Sequence, residues 1–175
     1  MSARLLAACT LAFACCIGWA QAPAPPAAAA GELVHEGVVP ASLGKTWTAW
    51  TTSAGLRSWL APHAEIDFRI GGKMRANYDA AASLDDPRTI ENMILSYDPH
   101  RMLSIQVAKA PNDFPFPKAV YDMWTVVYFE EVAPEQTHVR IVAHGFTDDE
   151  ESQRMRAFFA RGNAATLKQM QDRIR

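Results

Sequence analysis

Three tryptophans fall within the eighteen residues from Lys45 to Pro62, KTWTAWTTSAGLRSWLAP, and they restrict the fold more than any other stretch. Leu43, Trp47 and Trp50 are spaced four and three apart, so they share one helical face. Thr51, Thr52, Ser53 and Gly55 interrupt that spacing, and a second short helix from Leu56 to Leu60 carries Trp59. Helices this short are not stable alone. Their aromatic undersides need a broad apolar surface to lie on, which the rest of the chain must supply. The spacing leaves two readings open: the tryptophans are core, or some of them wall a ligand cavity.

The remaining sequence supplies strands. Leu33 to Val39 is a strand stopped by Pro40, and Ser42 is placed to cap the first tryptophan helix. From Ala64 to Ile70 apolar and charged residues alternate: Ile66, Phe68 and Ile70 face one way, Glu65, Asp67 and Arg69 the other. Gly71-Gly72 reads as a two-residue hairpin turn, and Lys73 to Tyr78 returns with Met74, Ala76 and Tyr78 on one face. No phosphate-cradle pattern surrounds the glycine pair. A polar loop from Asp79 to Arg88 precedes a strand from Thr89 to Tyr97, and Asp98-Pro99-His100-Arg101 turns into the strand Met102 to Ala108. Three prolines around Phe114 and Phe116 exclude regular structure from Ala110 to Lys118; these aromatics form either an exposed lid or a rim. Val120 to Glu131 is a long strand, apolar on both faces, and Thr137 to Gly145 is the last.

Asp148 or Asp149 then starts a final helix, with acidic residues suited to its positive end. Met155, Phe158, Phe159, Gly162, Thr166, Leu167, Met170 and Ile174 recur at three- and four-residue steps. Such a helix is about 38 Å long, enough to cross a whole sheet. Hairpin connections imply an antiparallel sheet. A curved sheet wrapped round one long helix leaves a space between them, and the tryptophan helices close one end of it.

The first residues belong to another pattern. Arg4 precedes a charge-free apolar run from Leu5 to Ala20, followed by small residues. This is a secretory signal peptide over residues 1–20, cleaved after Ala20, since cleavage after Ala22 would put Pro23 first. The run is short for a membrane span. Cys9, Cys15 and Cys16 all lie within it, so the mature chain carries no thiol and no disulfide. Cys9 sits in a lipobox-like context, but the apolar run before it is too short for an anchored lipoprotein. Residues 21–31 are an Ala- and Pro-rich spacer, and residues 32–175 form one domain. The expected location is periplasmic or secreted. Without Arg4, sixteen basic residues stand against nineteen acidic ones in no basic cluster, which argues against nucleic acid as a partner.

Catalytic signatures are sparse. The five histidines form no metal-binding pattern, and His138 and His144 on one strand stand about 20 Å apart. No nucleophile elbow occurs. Asp122 shares a strand face with Trp124; turned inward it could act as acid or base with Tyr78, and turned outward it is a solvated strand-end carboxylate.

The order of Pro40, Trp47, Trp50-Thr51-Thr52, Gly55, Trp59, Pro62, Gly71-Gly72, Asp98-Pro99 and Gly145-Phe146 resembles the START-like (SRPBCC) superfamily, the Bet v 1-type helix-grip fold. Within it the chain is similar to activators of 90 kDa heat shock protein ATPase and their homologues, over about Val38 to Ile174. The resemblance implies an α+β fold: a curved antiparallel sheet of about seven strands round a long C-terminal helix, with two short helices after the first strand. It also implies a cavity for an apolar or amphipathic small molecule, a protein partner in some relatives and a cavity enzyme in others. No cofactor and no metal are expected. Such a cavity is expected to be lined by Phe68, Tyr78, Met93 and Trp124 from the sheet, Trp59 from the short helices and Phe158 from the roof, with Gly162 making room. The family often has Gly-Trp in the final helix, whereas here Asn163 follows Gly162.

Overall fold

The structure, a computed structural model, describes residues 31–175. The expected signal peptide, the three cysteines and nearly all of the spacer lie outside the described residues. The described chain folds as β1 (Leu33–Val39), α1 (Leu43–Thr51), α2 (Ser53–Trp59), β2 (His63–Ile66), β3 (Lys73–Asn77), β4 (Ile90–Asp98), β5 (Met102–Lys109), a 3-10 turn (Ala119–Tyr121), β6 (Trp124–Ala133), β7 (Gln136–His144) and α3 (Glu150–Arg173). The strands form one antiparallel sheet in the order β1-β7-β6-β5-β4-β3-β2. Strands β2 to β7 follow one another as hairpins, whereas β1 lies at the far edge from β2. The α1–α2 pair therefore connects the two edges of the curved sheet and closes one end of its concave face. This is the helix-grip architecture.

The tryptophans form the core beneath that pair. Trp59 is fully buried, and its indole N–H donates to the Ala49 carbonyl at 2.9 Å. Trp50 lies 4.9 Å from Trp59, and Trp47 meets Phe68 and Phe129 edge-on at 5.8 and 5.4 Å. Thr52 breaks the helix pair as expected: its backbone is extended and its hydroxyl accepts from the Gly55 N–H, capping α2. Ser42 holds the N-cap position of α1, but its hydroxyl makes no cap bond.

Helix α3 is held at its two ends. At its start the Asp149 carboxylate accepts from the Ser152 N–H at 3.0 Å, and Glu151 accepts from the N–H groups of Lys118 and Ala119 at 3.1 and 3.3 Å. Met155 is buried there with Leu33, Phe116, Val120, Met123 and Phe146. At its end Leu167, Met170 and Ile174 join the larger cluster that contains the tryptophans. There Gln169 donates to the carbonyls of Trp59 and Leu60, and Gln171 donates to the Val38 carbonyl at 3.0 Å. The domain thus has two apolar clusters, with the middle of α3 bridging them.

Two strand boundaries differ from the alternation pattern. β2 ends at Ile66, and Asp67–Gly72 is a six-residue loop rather than strand plus two-residue turn. A Cβ at Gly72 would overlap the Asp67 carbonyl oxygen, so only glycine lets the loop fold back this tightly. Gly71 N–H donates to the Ile94 carbonyl and Ile94 N–H to the Gly72 carbonyl, so the pair prolongs the ladder to β4 and leaves Ile70 exposed. β6 begins at Trp124, not Val120, because the preceding residues wind into the 3-10 turn that Glu151 holds.

Candidate functional site

The concave space is not filled evenly. Between the two clusters lies a groove of about 400 Å³, within the range of small-molecule sites. α3 contributes Phe158, Phe159, Gly162, Asn163 and Thr166 along a single helical face. The Ala110–Val120 segment contributes Ala110, Pro111, Phe114 and Val120, and the β3–β4 end of the sheet contributes Tyr78, Arg88 and Ile90. A Cβ built at Gly162 would meet nothing within 4 Å. The glycine therefore opens the groove; it does not serve a close helix–sheet contact. Asn163, which follows it, also lines the groove.

The aromatic end of the groove is a packed set. Phe114 lies edge-on to Phe116 and Phe158, each at 5.7 Å, and Phe158 is edge-on to Phe159 at 5.5 Å. Phe116 is buried behind Phe114, whereas Phe158 is 39% exposed. The proline-rich segment is thus a rim folded against α3, not a detached lid.

The polar end is at Tyr78 and Arg88. The Arg88 guanidinium donates to Asp79 at 3.1 Å and to both oxygens of Asp86 at 3.1 and 3.2 Å. The Ala81 N–H first and Arg88 next hold the Asp79 carboxyl below the usual aspartate range. The Arg88 side chain, then its N–H, does the same for Asp86. Surrounding atoms push the Tyr78 phenol up by desolvation, yet 64% of this residue is open to solvent. The open surface weighs more, because water within reach solvates the phenolate; either way the hydroxyl is protonated at neutral pH.

Of the seven residues expected to line the cavity, the groove brings together Tyr78, Phe158 and Gly162. Trp59 and Phe68 lie instead in or against the tryptophan cluster, because α1 and α2 sit directly on the sheet and leave no space beneath them. Met93 and Trp124 belong to the outer face. The register sets Lys73, Met93, Gln106, Trp124 and His144 side by side across β3 to β7, and directly opposed residues share a face. Trp124 stacks on His144 there at 5.1 Å. Asp122 does not meet Tyr78: it is exposed and lines a separate hollow with Lys118, Gly145 and Asp149. Thr166, Asn163 and Arg88 were not anticipated as lining. Phe158, Gly162 and Thr166 are four residues apart, and that spacing was the available signal.

Other hollows offer less. A larger depression on the outer face, about 590 Å³, is lined by charges paired among themselves: Arg75 with Glu65 and Lys73 with Glu91, each at 2.6 Å. Among the described residues, no group of three or more His, Cys, Asp or Glu is placed to hold a metal. No helix there is long and apolar enough to cross a membrane.

Known structures share this architecture. The solution structure of the Aha1 dimer from Colwellia psychrerythraea matches with a TM-score of 0.64 at 17% identity, over 82% of this chain and 95% of that one. The crystal structure of a Mesorhizobium loti protein matches at 0.61 and 18%, over 81% and 94%. Norcoclaurine synthase from Thalictrum flavum, in complex with dopamine and hydroxybenzaldehyde, matches at 0.58 and 13%, over 81% and 84%. At these identities the likeness is one of fold. No curated protein sequence matches the chain. The model of one sequence family, Activator of Hsp90 ATPase homolog 1-like protein, covers residues 40–175, and the chain belongs to that family.

Proposed function

We propose that this protein binds an apolar or amphipathic small molecule in the groove beneath the middle of α3. The observation that carries this is the groove itself: about 400 Å³ between two separately packed clusters, spanned by a helix whose mid-point residue is glycine. A pocket with phenylalanine walls and a few polar groups at one end suits a ring system or a short acyl chain. At about 0.3 kcal/mol per heavy atom, a ligand of about twenty atoms binds with about −6 kcal/mol, or tens of micromolar. The test is a titration with the neutral fluorophore N-phenyl-1-naphthylamine, paired with backbone amide shifts by NMR. Saturable binding that moves the amides of Gly162, Asn163 and Thr166 supports the reading; no saturation below about a millimolar defeats it. Intrinsic tryptophan emission is a poor reporter here, since no described tryptophan lines the groove.

Export through the N-terminal signal is part of the same proposal. It rests on Arg4, the apolar run and the small residues at Ala20 and Ala22. Intact mass after expression in a secreting host tests it. Loss of the first twenty residues is expected; a full-length chain or lipid on Cys9 counts against it.

A protein partner is the second reading, favoured by the outer sheet face. Met93, Trp124, Tyr128 and Val38 are each 37 to 42% exposed there. Exposed aromatics of this kind are enriched at interfaces.

A further inference from the structure

We infer that the groove selects neutral or cationic ligands and discriminates against carboxylates; this inference rests on the small-molecule reading above. Among the described residues that line the groove, Arg88 is the only charged one. An arginine at the mouth of an apolar pocket would ordinarily suggest capture of an acid head group. Here two carboxylates already engage it through two of its three nitrogens: Nη2 donates to Asp79 and to Asp86, and Nε donates to the second oxygen of Asp86. Neither carboxylate depends on Arg88 alone. Asp79 also accepts from the Ala81 N–H at 2.9 Å, and Asp86 also accepts from the Arg88 N–H at 2.8 Å. These backbone bonds fix both aspartates in the loop between β3 and β4, so an incoming anion cannot simply displace them. The three side chains carry a net charge of −1 at neutral pH.

The remaining polar groups are neutral. Tyr78, Asn163 and Thr166 line the groove, and none of their side chains is hydrogen-bonded to another described residue. A phenol, an amide and an alcohol can donate to or accept from a ligand hydroxyl, carbonyl or amine. An ionised carboxylate entering the groove would lose water and meet a net negative mouth. Burying it costs far more than burying a hydroxyl that finds a partner. The ligand class that fits is an aromatic or alicyclic alcohol, ketone or amine, not a fatty acid.

Three fluorescent probes with one ring system separate the possibilities: 1-pyrenemethanol, 1-pyrenemethylamine and 1-pyrenecarboxylic acid, titrated at pH 7 into the wild-type protein. The expected result is that the alcohol and amine bind comparably and the carboxylate at least tenfold more weakly. The Asp79→Asn, Asp86→Asn double variant removes both negative charges beside Arg88 and should close most of that gap between the carboxylate and the alcohol. A carboxylate that binds wild type as tightly as the alcohol overturns this inference while leaving the groove as a binding site. No binding of any probe overturns both. The wild-type ranking needs no variant, so it decides the matter even where the double variant fails to fold.

Discussion

Gly162 separates a binding role from a packing role, because substitution there should move stability and binding in opposite directions. It sits near the middle of the 24-residue α3, and glycine in a helix interior is about 1 kcal/mol less favourable than alanine. Apart from its chain neighbours and the backbone of its own helix turns, no described atom lies within 4 Å of a built Cβ, so alanine meets no clash. Gly162→Ala should therefore raise stability by about 1 kcal/mol, or about 3 to 4 °C in melting temperature for a domain of this size. Gly162→Leu keeps most of that gain, since leucine is also a good helix former. Its isobutyl group, however, projects into the space between Phe158 and Thr166. Binding of N-phenyl-1-naphthylamine should weaken by more than about tenfold, a loss of about 1.4 kcal/mol, whereas alanine should cost little. Urea melts and fluorescence titrations on the three proteins measure both quantities. Destabilisation by alanine would mean that the glycine serves a contact. Unaltered binding by the leucine variant would mean that the ligand sits elsewhere.

Stability along α3 should follow its two anchored ends. Met155→Ala and Met170→Ala, at fully buried residues, are expected to cost about 2 to 5 kcal/mol. Phe158→Ala, at a side chain more than a third exposed, should cost about 1 to 2 kcal/mol; chemical denaturation ranks the three. Asp149→Ala removes the cap of α3 and should lower the urea midpoint at pH 7. Hydrogen bonds from Thr147 first and the Ser152 N–H next hold the Asp149 carboxyl low, so its contribution is present above the ordinary value of 3.8 and is lost as pH falls through the lower folded value. The gap between wild type and Asp149→Ala should therefore narrow in melts below that pH. Trp59→Phe leaves the Ala49 carbonyl without its indole donor and opens a void in a fully buried site, and should cost about 2 to 4 kcal/mol by urea melt.

Local pattern determined much of this protein. Period-two alternation and turn residues located the strands, and the four-and-three spacing of Trp47, Trp50 and the α3 stripe located the helices. Their order, with the two tryptophan-bearing helices between the first two strands, carried the resemblance to the helix-grip fold. These signals are local because hydrogen-bond geometry forces side chains into fixed periods. The tertiary structure decided which face of each strand looked inward. Trp124 and Met93 were expected to line the cavity that the resemblance implied, but the register places them on the outer face. The 3-10 turn at Ala119–Tyr121, held by Glu151 from a distant helix, removed Asp122 from the strand and from any pairing with Tyr78. The groove itself was legible only in part. Phe158, Gly162 and Thr166 are aligned by helical spacing, but that a space lies beneath them depends on where two clusters stop packing. That is a property of volumes brought together from across the chain, and no local period encodes it.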